Sequence, residues 1–181
     1  FGKGLIRPGG TNYTLTDEIA GEILRNIEDV DRRYATVADC VFTLPSVLAR
    51  FEDIGKVTRA QAVSIGAVGM AARTSGVPRD IRATHPFQYY RRIEINPVLQ
   101  ETGDVLARAM LRSLEVKESV RIIRTIIGQW RNLAEKPGRP MYDLKFMPDR
   151  LAVSVTEGWR GEICHMAVTD SDGRLTQYTV K

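Results

Sequence analysis

Cysteine is scarce in this chain. Its 181 residues include two, Cys40 and Cys164, with no C-x-x-C pair and no histidine at ligand spacing. A structural zinc site or a thiolate-held iron–sulfur cluster needs more thiolates than that, so neither is expected within this chain. Both cysteines are expected to be reduced, buried small hydrophobes with no disulfide between them. Long apolar runs are missing too. No stretch approaches the roughly 20 residues that span a bilayer, so any membrane link is expected to come through partners. No secretory pattern is present, and a chain opening on Phe1-Gly2 without Met is expected to have a cut or processed start. Charge of one sign does not dominate either. The 26 Lys and Arg stand against 22 Asp and Glu, a net +4, and the two kinds are interleaved. Aromatics do not alternate with the arginines as base stacking would require, so no nucleic-acid partner is expected.

What is present reads as a globular α+β protein. Hydrophobic residues make up 43% and charged residues 27%, enough to bury a core of one domain or one and a half. Pro8-Gly9-Gly10 reads as a turn, and the Thr14–Asp17 stretch offers a helix cap with acids in the first turn. Ile19, Ile23, Ile27, Val30, Tyr34, Val37 and Val41 then step by three and four, the stripe of a long amphipathic helix. Pro45 ends it. A short helix follows over 46–53, then one or two more over 58–72, interrupted by Gly66 and Gly69.

Ile93-Glu94-Ile95 alternates as a short strand would, and Asn96-Pro97 stops it. Asp104 starts a second long helix whose stripe runs Leu106, Ala109, Ser113, Val116, Val120, Ile123, Ile127 and Trp130. The two stripes are expected to pack antiparallel. Glu115 and Glu118 interrupt the arginines on the flank of the second helix, which reads as a solvated or subunit-facing surface. After a linker at Pro137–Pro140 the period changes to two, giving strands near 151–155, 163–168 and 175–180, with Asp172-Gly173 as a hairpin turn. The expected organisation is a helical core over 1–136 and a small antiparallel β segment over 137–181. The last strand leaves an edge that more sequence would cover.

Between the helical patterns lies Thr74–Phe87, TSGVPRDIRATHPF. Ser75-Gly76 breaks the backbone and Pro78 and Pro86 fix φ, so neither flanking helix continues through it. Arg73, Arg79, Asp80, Arg82 and His85 are gathered there. Such a loop carries a site or an ion-pair lock between elements. A second candidate is Glu157-Gly158-Trp159-Arg160-Gly161, where two glycines bracket a Trp-Arg pair and let the backbone turn and present Arg160.

The run MAARTSGVPRDIRATHPFQYY (Met70 to Tyr90) resembles the central motif of the large subunit of nickel–iron hydrogenases. The resemblance is to the membrane-bound, energy-converting class that includes the formate hydrogenlyase type. The same region recurs in the quinone-site large subunit of respiratory complex I. A second match, TEGWRGEICH (Thr156 to His165), stands where those hydrogenases carry Glu-Ala-Pro-Arg-Gly, with Gly-Trp here in place of Ala-Pro. The resemblance implies that Arg160 hangs over the nickel–iron centre and helps to split dihydrogen, with Glu157 orienting it and His165 as a further candidate catalytic residue. Arg73, Arg79, Asp80, Arg82 and His85 would form the substrate-binding motif loop. An arginine acts as a base only in a dry, charge-balanced pocket. The family holds its metal with two C-x-x-C pairs, one near each end of the full subunit, and neither is present in these 181 residues. The resemblance therefore implies a central fragment with no metal or cofactor of its own, inactive alone.

Three function classes follow. One is a hydrogenase large-subunit fragment in a membrane-associated complex, peripheral on the cytoplasmic side of the inner membrane. Its partners would be an iron–sulfur small subunit and membrane-arm subunits. Another is a fragment of a complex I-like large subunit, a quinone-site and coupling element without nickel–iron. The third is a non-catalytic helical interaction module, which a Thr74–Phe87 loop remote from Arg160 would favour.

Overall fold

Thr16 opens the first long helix. Its hydroxyl accepts the Ile19 amide at 3.3 Å and Asp17 and Glu18 fill the first turn, so donors left over at the helix end meet both an acceptor and negative charge. The computed structural model describes residues 5–7, 10–133 and 145–181. The expected turn at Pro8-Gly9 and the linker at Pro137–Pro140 lie outside the described residues. A two-stranded ribbon, β1 (Ile6–Arg7) and β2 (Gly10–Thr11), precedes helix α1 (Asp17–Phe42). Thr43 closes α1, and Pro45 sits at the start of α2 (Pro45–Phe51), where its missing N–H costs nothing.

Thr58 and Gln61 form a reciprocal capping box at α3 (Arg59–Ser64). Gly69, at φ +56°, begins α4 (Gly69–Arg73) rather than interrupting it. The punctuated stretch after Arg73 contains one further turn of helix, α5 (Ile81–Thr84), capped by the Asp80 side chain, then a 3₁₀ turn at Gln88–Arg91. Asp104 caps α6 (Val105–Leu133): its carboxylate takes the Ala107 amide at 2.8 Å and, from across the chain, the Asp53 amide at 3.0 Å.

The long helices do pack antiparallel. Asp17 at the start of α1 pairs with Arg131 at the end of α6, and Glu28 approaches Arg124 at 4.0 Å. The seam is narrower than the stripe implies. Only Ala20 and Ala38 of α1 are buried, while Val30 is 57% and Val37 62% exposed. At 100° per residue these valines lie about 80–100° round the helix from Ala38, off the centre of the seam, where Val30 borders an open cleft with Val116 and Ile123 of α6. Cys40, about 200° from Ala38, is exposed rather than buried, and Cys164 is half-buried; both are free.

Helix α6 departs from its expected stripe for a related reason. Its most deeply buried residues are Ala107 and Leu111, off the Leu106–Ala109–Ser113 line. It is packed on two sides, by α1 along one face and by α4 with the motif loop along another.

The sheet is β3 (Leu151–Gly158), β4 (Gly161–Thr169) and β5 (Leu175–Val180), all antiparallel in the order β3-β4-β5, with Gly173 at φ +75° in the second hairpin. The described architecture is helices followed by a small antiparallel sheet. The short strand expected at Ile93–Ile95 does not form. Ile95 is buried, but Arg121 on α6 takes the Glu94 carbonyl at 2.6 Å, which occupies an acceptor a partner strand would need.

Two close backbone approaches hold the motif loop, one to the sheet and one to the segments that precede α3 and α6. A Cβ on Gly69 would meet Arg160 O and Gly161 Cα at 2.3 Å, so the β3–β4 turn rests directly on the start of α4. A Cβ on Gly103 would meet Val57 O at 2.0 Å, and around it Gly103 N donates to Thr74 O (2.9 Å) and Ser75 Oγ to Val57 O (2.8 Å). The motif loop is strapped on both sides.

Candidate functional site

Arg73 lies at the end of α4, 2% exposed, and its guanidinium is the centre of the site. Three carboxylates converge on it. Glu157 of β3 is 3.2 Å away, Asp80 of the motif loop 3.7 Å, and Glu115 of α6 makes a short contact. Arg73 also donates to the Arg79 carbonyl at 2.9 Å. Its Nε–H is buried and has no partner among the described residues.

A buried charge is tolerated only with such compensation, since desolvation costs several kcal/mol per ion. Two of the three carboxylates have a second anchor. Asp80 is gripped by Arg82 through two contacts, Nε at 3.0 Å and a terminal nitrogen at 2.6 Å, as well as by the Arg82 amide at 3.0 Å. Glu157 uses its other oxygen to accept the Ile81 amide at 3.1 Å, closing the start of α5 against β3.

The electrostatics follow from these contacts. Burial pushes the Asp80 carboxyl up, but the hydrogen bonds and charge of Arg82, helped by Arg73, outweigh it and hold the group below the usual carboxylate range. Arg82 is correspondingly held in its charged form by Asp80, against the opposing effect of burial. On α6, the Arg121 guanidinium lowers Glu118 in spite of partial burial. Arg73, Arg82, Glu115, Glu118, Glu157 and Trp159 help to line a cavity of about 250 Å³ beside this cluster. The arrangement can hold charge and hold elements together. It presents no activated nucleophile.

The structure joins some of the expected site residues and separates others. Arg73, Asp80, Arg82 and Glu157 come together. Glu157 does not orient Arg160: its carboxylate turns inward to Arg73 and Ile81, because side chains alternate across a strand and position 157 faces the helices. Arg160 is exposed at the β3–β4 turn, beside a Trp159 that is 65% exposed, with no side-chain partner among the described residues. Arg79 turns the other way, toward the Gly66 and Ala67 carbonyls and Glu162 at 3.8 Å. His85 is exposed and borders a separate cleft of about 850 Å³ with Arg79, Phe87, Val155 and Glu162. His165 is paired with Tyr178 of β5 at 2.6 Å, away from the cluster.

Glu115 is the member that sequence reasoning passed over as a break in an arginine flank. The signal was present: Ala107, Leu111 and Glu115 are spaced i, i+4, i+8 and share the buried face of α6. The loop and the Arg160 turn are not remote from each other. Glu157 and the Gly69–Gly161 contact tie them together.

The nickel–iron centre implied by the hydrogenase resemblance calls for converging thiolates. Cys40 is on the exposed side of α1 and Cys164 on β4. Among the described residues no three His, Cys, Asp or Glu side chains form a group that could hold a metal ion. The described residues do not fit that centre.

The chain as a whole has clear relatives. Residues 1–145 match the profile of the family described as "Respiratory-chain NADH dehydrogenase, 49 Kd subunit", and the chain belongs to that family. It is 28% identical over 180 residues to an NADH-quinone oxidoreductase subunit of Thermosipho melanesiensis, covering 97% of this chain and 48% of that protein. It is 32% identical over 170 residues to a carbon monoxide-induced hydrogenase of Rhodospirillum rubrum, covering 92% and 45%. Its fold is also that of a chain in the membrane-bound sulfane sulfur reductase, an archaeal respiratory membrane complex, at a TM-score of 0.81 and 20% identity over 95% of this chain and 48% of that one. The chain thus spans about half the length of these relatives.

Proposed function

We propose that this chain is part of a complex I-like quinone oxidoreductase large subunit, serving as a quinone-site and coupling scaffold in a multi-subunit membrane complex. The observation that carries the reading is the family match across residues 1–145. The site suits the role: a buried ionic lock between loop, helix and hairpin transmits displacement and charge, whereas bond-making chemistry would call for a nucleophile or metal ligands. No helix among the described residues is long and apolar enough to cross a membrane. The chain would attach on the cytoplasmic side through membrane-arm subunits and receive electrons from an iron–sulfur small subunit.

The 32% identity to a carbon monoxide-induced hydrogenase supports a second reading, a hydrogenase large subunit of the energy-converting, formate hydrogenlyase-like kind. There Arg160 would face a nickel–iron centre held by residues beyond those described. Isolation of the intact complex through a tag on this chain separates the two. Inhibitor-sensitive quinone reduction is expected. Dihydrogen evolution without quinone reduction would replace the first reading with the second.

A further inference from the structure

Strand β3 lies at one side of the sheet and has no partner strand on its outer edge among the described residues. In an antiparallel ladder the bonds of a strand alternate between its two sides. The Cys164 amide and carbonyl both bond Lys181, so Cys164, and by alternation Met166, spend their backbone groups on the β5 side. Their opposite numbers on β3, Val155 and Val153, therefore turn N–H and C=O to the open edge. None of those four groups has a partner among the described residues.

This edge carries none of the usual guards. Sheets protect a free edge with charge, proline or a bulge. From Leu151 to Thr156 the strand has neither charge nor proline, and its register against β4 is regular throughout. Leu151 and Val153 are 63% and 59% exposed, and Phe146 and Met147 just upstream are exposed as well, which extends the apolar surface. The opposite edge, β5, is instead flanked by Arg174 and Lys181.

The edge also opens into a shaped space. Ser154, Val155 and Thr156 line one wall of the cleft of about 850 Å³, and Ile81, Thr84 and Phe87 line the other. Arg79 and Glu162 at its rim pair with each other, so they call for no charged occupant. Helix α5 closes the cleft at the Glu157 end, where the Ile81 amide donates to the Glu157 carboxylate, while the Leu151 end is open. Five residues of added strand, roughly 17 Å, match the stretch from Leu151 to Val155. A second copy of this chain fits poorly. Pairing antiparallel, it would carry its own Asp149 turn, tied to Asp170 and packed on Gly173, toward the closed end. A plain extended segment has no such bulk.

We propose that this edge is a docking site for an extended, uncharged β-forming segment of a neighbouring subunit, which adds as a strand beside β3. Main-chain bonds to Val153 and Val155 hold it, and its apolar side chains lie against Leu151, Val153 and the cleft. The inference rests on assembly in a multi-subunit complex, not on which substrate that complex turns over.

In the test, a photoreactive diazirine amino acid replaces Leu151 or Val153 in the intact complex isolated through this chain. The two positions are expected to crosslink to one segment of a co-purifying subunit, at sites two residues apart, as side chains on one face of a strand are. Crosslinks to a second copy, to this same polypeptide only, or to no protein would overturn the proposal. Val153→Pro deletes an edge-facing N–H and spares the β4 ladder, which runs through Ala152 and Ser154. It is expected to cut the Leu151 crosslink yield at least tenfold. Val153→Lys keeps the backbone and sets a charge on the edge, and the same loss is expected from it should the proline variant fail to fold. An unchanged yield overturns the proposal. Partner subunits present without a crosslink would sink this inference and spare the proposed function. A crosslink in a complex that reduces no quinone would do the reverse.

Discussion

Arg73→Met keeps the unbranched stem of the side chain and deletes the guanidinium on which Asp80, Glu115 and Glu157 converge. Little packing is lost, so the effect isolates the charge. Glu157, 4% exposed at its side chain, is left facing Asp80 and Glu115 with the Ile81 amide and the more distant charge of Arg82 for compensation. Removing one partner of a buried ion pair costs about 3–5 kcal/mol, a large part of a typical domain stability of about 5–15 kcal/mol. With a urea slope of about 2 kcal/mol/M, the unfolding midpoint should fall by about 1.5–2.5 M.

Two companions make the reasoning refutable. Arg131→Met breaks a pair whose side chains are 69% and 68% exposed, and should cost no more than about 1 kcal/mol. Arg73→Met combined with Glu157→Gln should recover part of the loss, because one of the stranded charges is neutralised. A midpoint for Arg73→Met within error of Arg131→Met, or a double variant no better than the single, would show that the cluster is not a stabilising lock.

Other expectations follow from single sites. Gly69→Ala places a methyl 2.3 Å from the Arg160–Gly161 backbone at a φ of +56° and should cost about 2–5 kcal/mol, whereas Gly66→Ala, at φ +64° with nothing within 4 Å, should cost only about 1–2 kcal/mol. Equal thermal shifts for the two would contradict the close approach. Asp80 has a folded pKa below its ordinary 3.8, so its stabilisation is present above that value and disappears as pH falls through the lower folded pKa. Asp80→Asn should lower stability at neutral pH and flatten the acid limb below about pH 3.8; a limb parallel to wild type refutes this. Arg160→Lys should leave stability within about 0.5 kcal/mol, since its side chain is exposed and unpartnered among the described residues, and under the hydrogenase reading it should reduce dihydrogen turnover of the intact complex. Wild-type turnover would remove Arg160 from the site.

Much of the fold was legible because it is local. Thr16, the Thr58–Gln61 box and Asp104 mark helix starts through contacts three residues long, and the change from a period of three and four to a period of two after residue 150 marks the sheet. Gly173 announced its hairpin because φ +75° excludes most other residues. The Ile93–Ile95 strand was misread for the converse reason: alternation shows that one side is buried, not that a partner strand exists.

By itself, then, the sequence determined which stretches coil, which extend and where they turn, since those choices are made among neighbours in the chain. It also marked Arg73, Asp80 and Arg82 as a charged group set in a broken backbone. Only the tertiary structure decided that Glu157 turns inward to Arg73 rather than to Arg160, and that Glu115 completes the cluster from 42 residues away. It also left the outer flank of α1 uncovered. A buried ion pair depends on which surfaces meet once water is expelled, and no local spacing along the chain encodes that meeting.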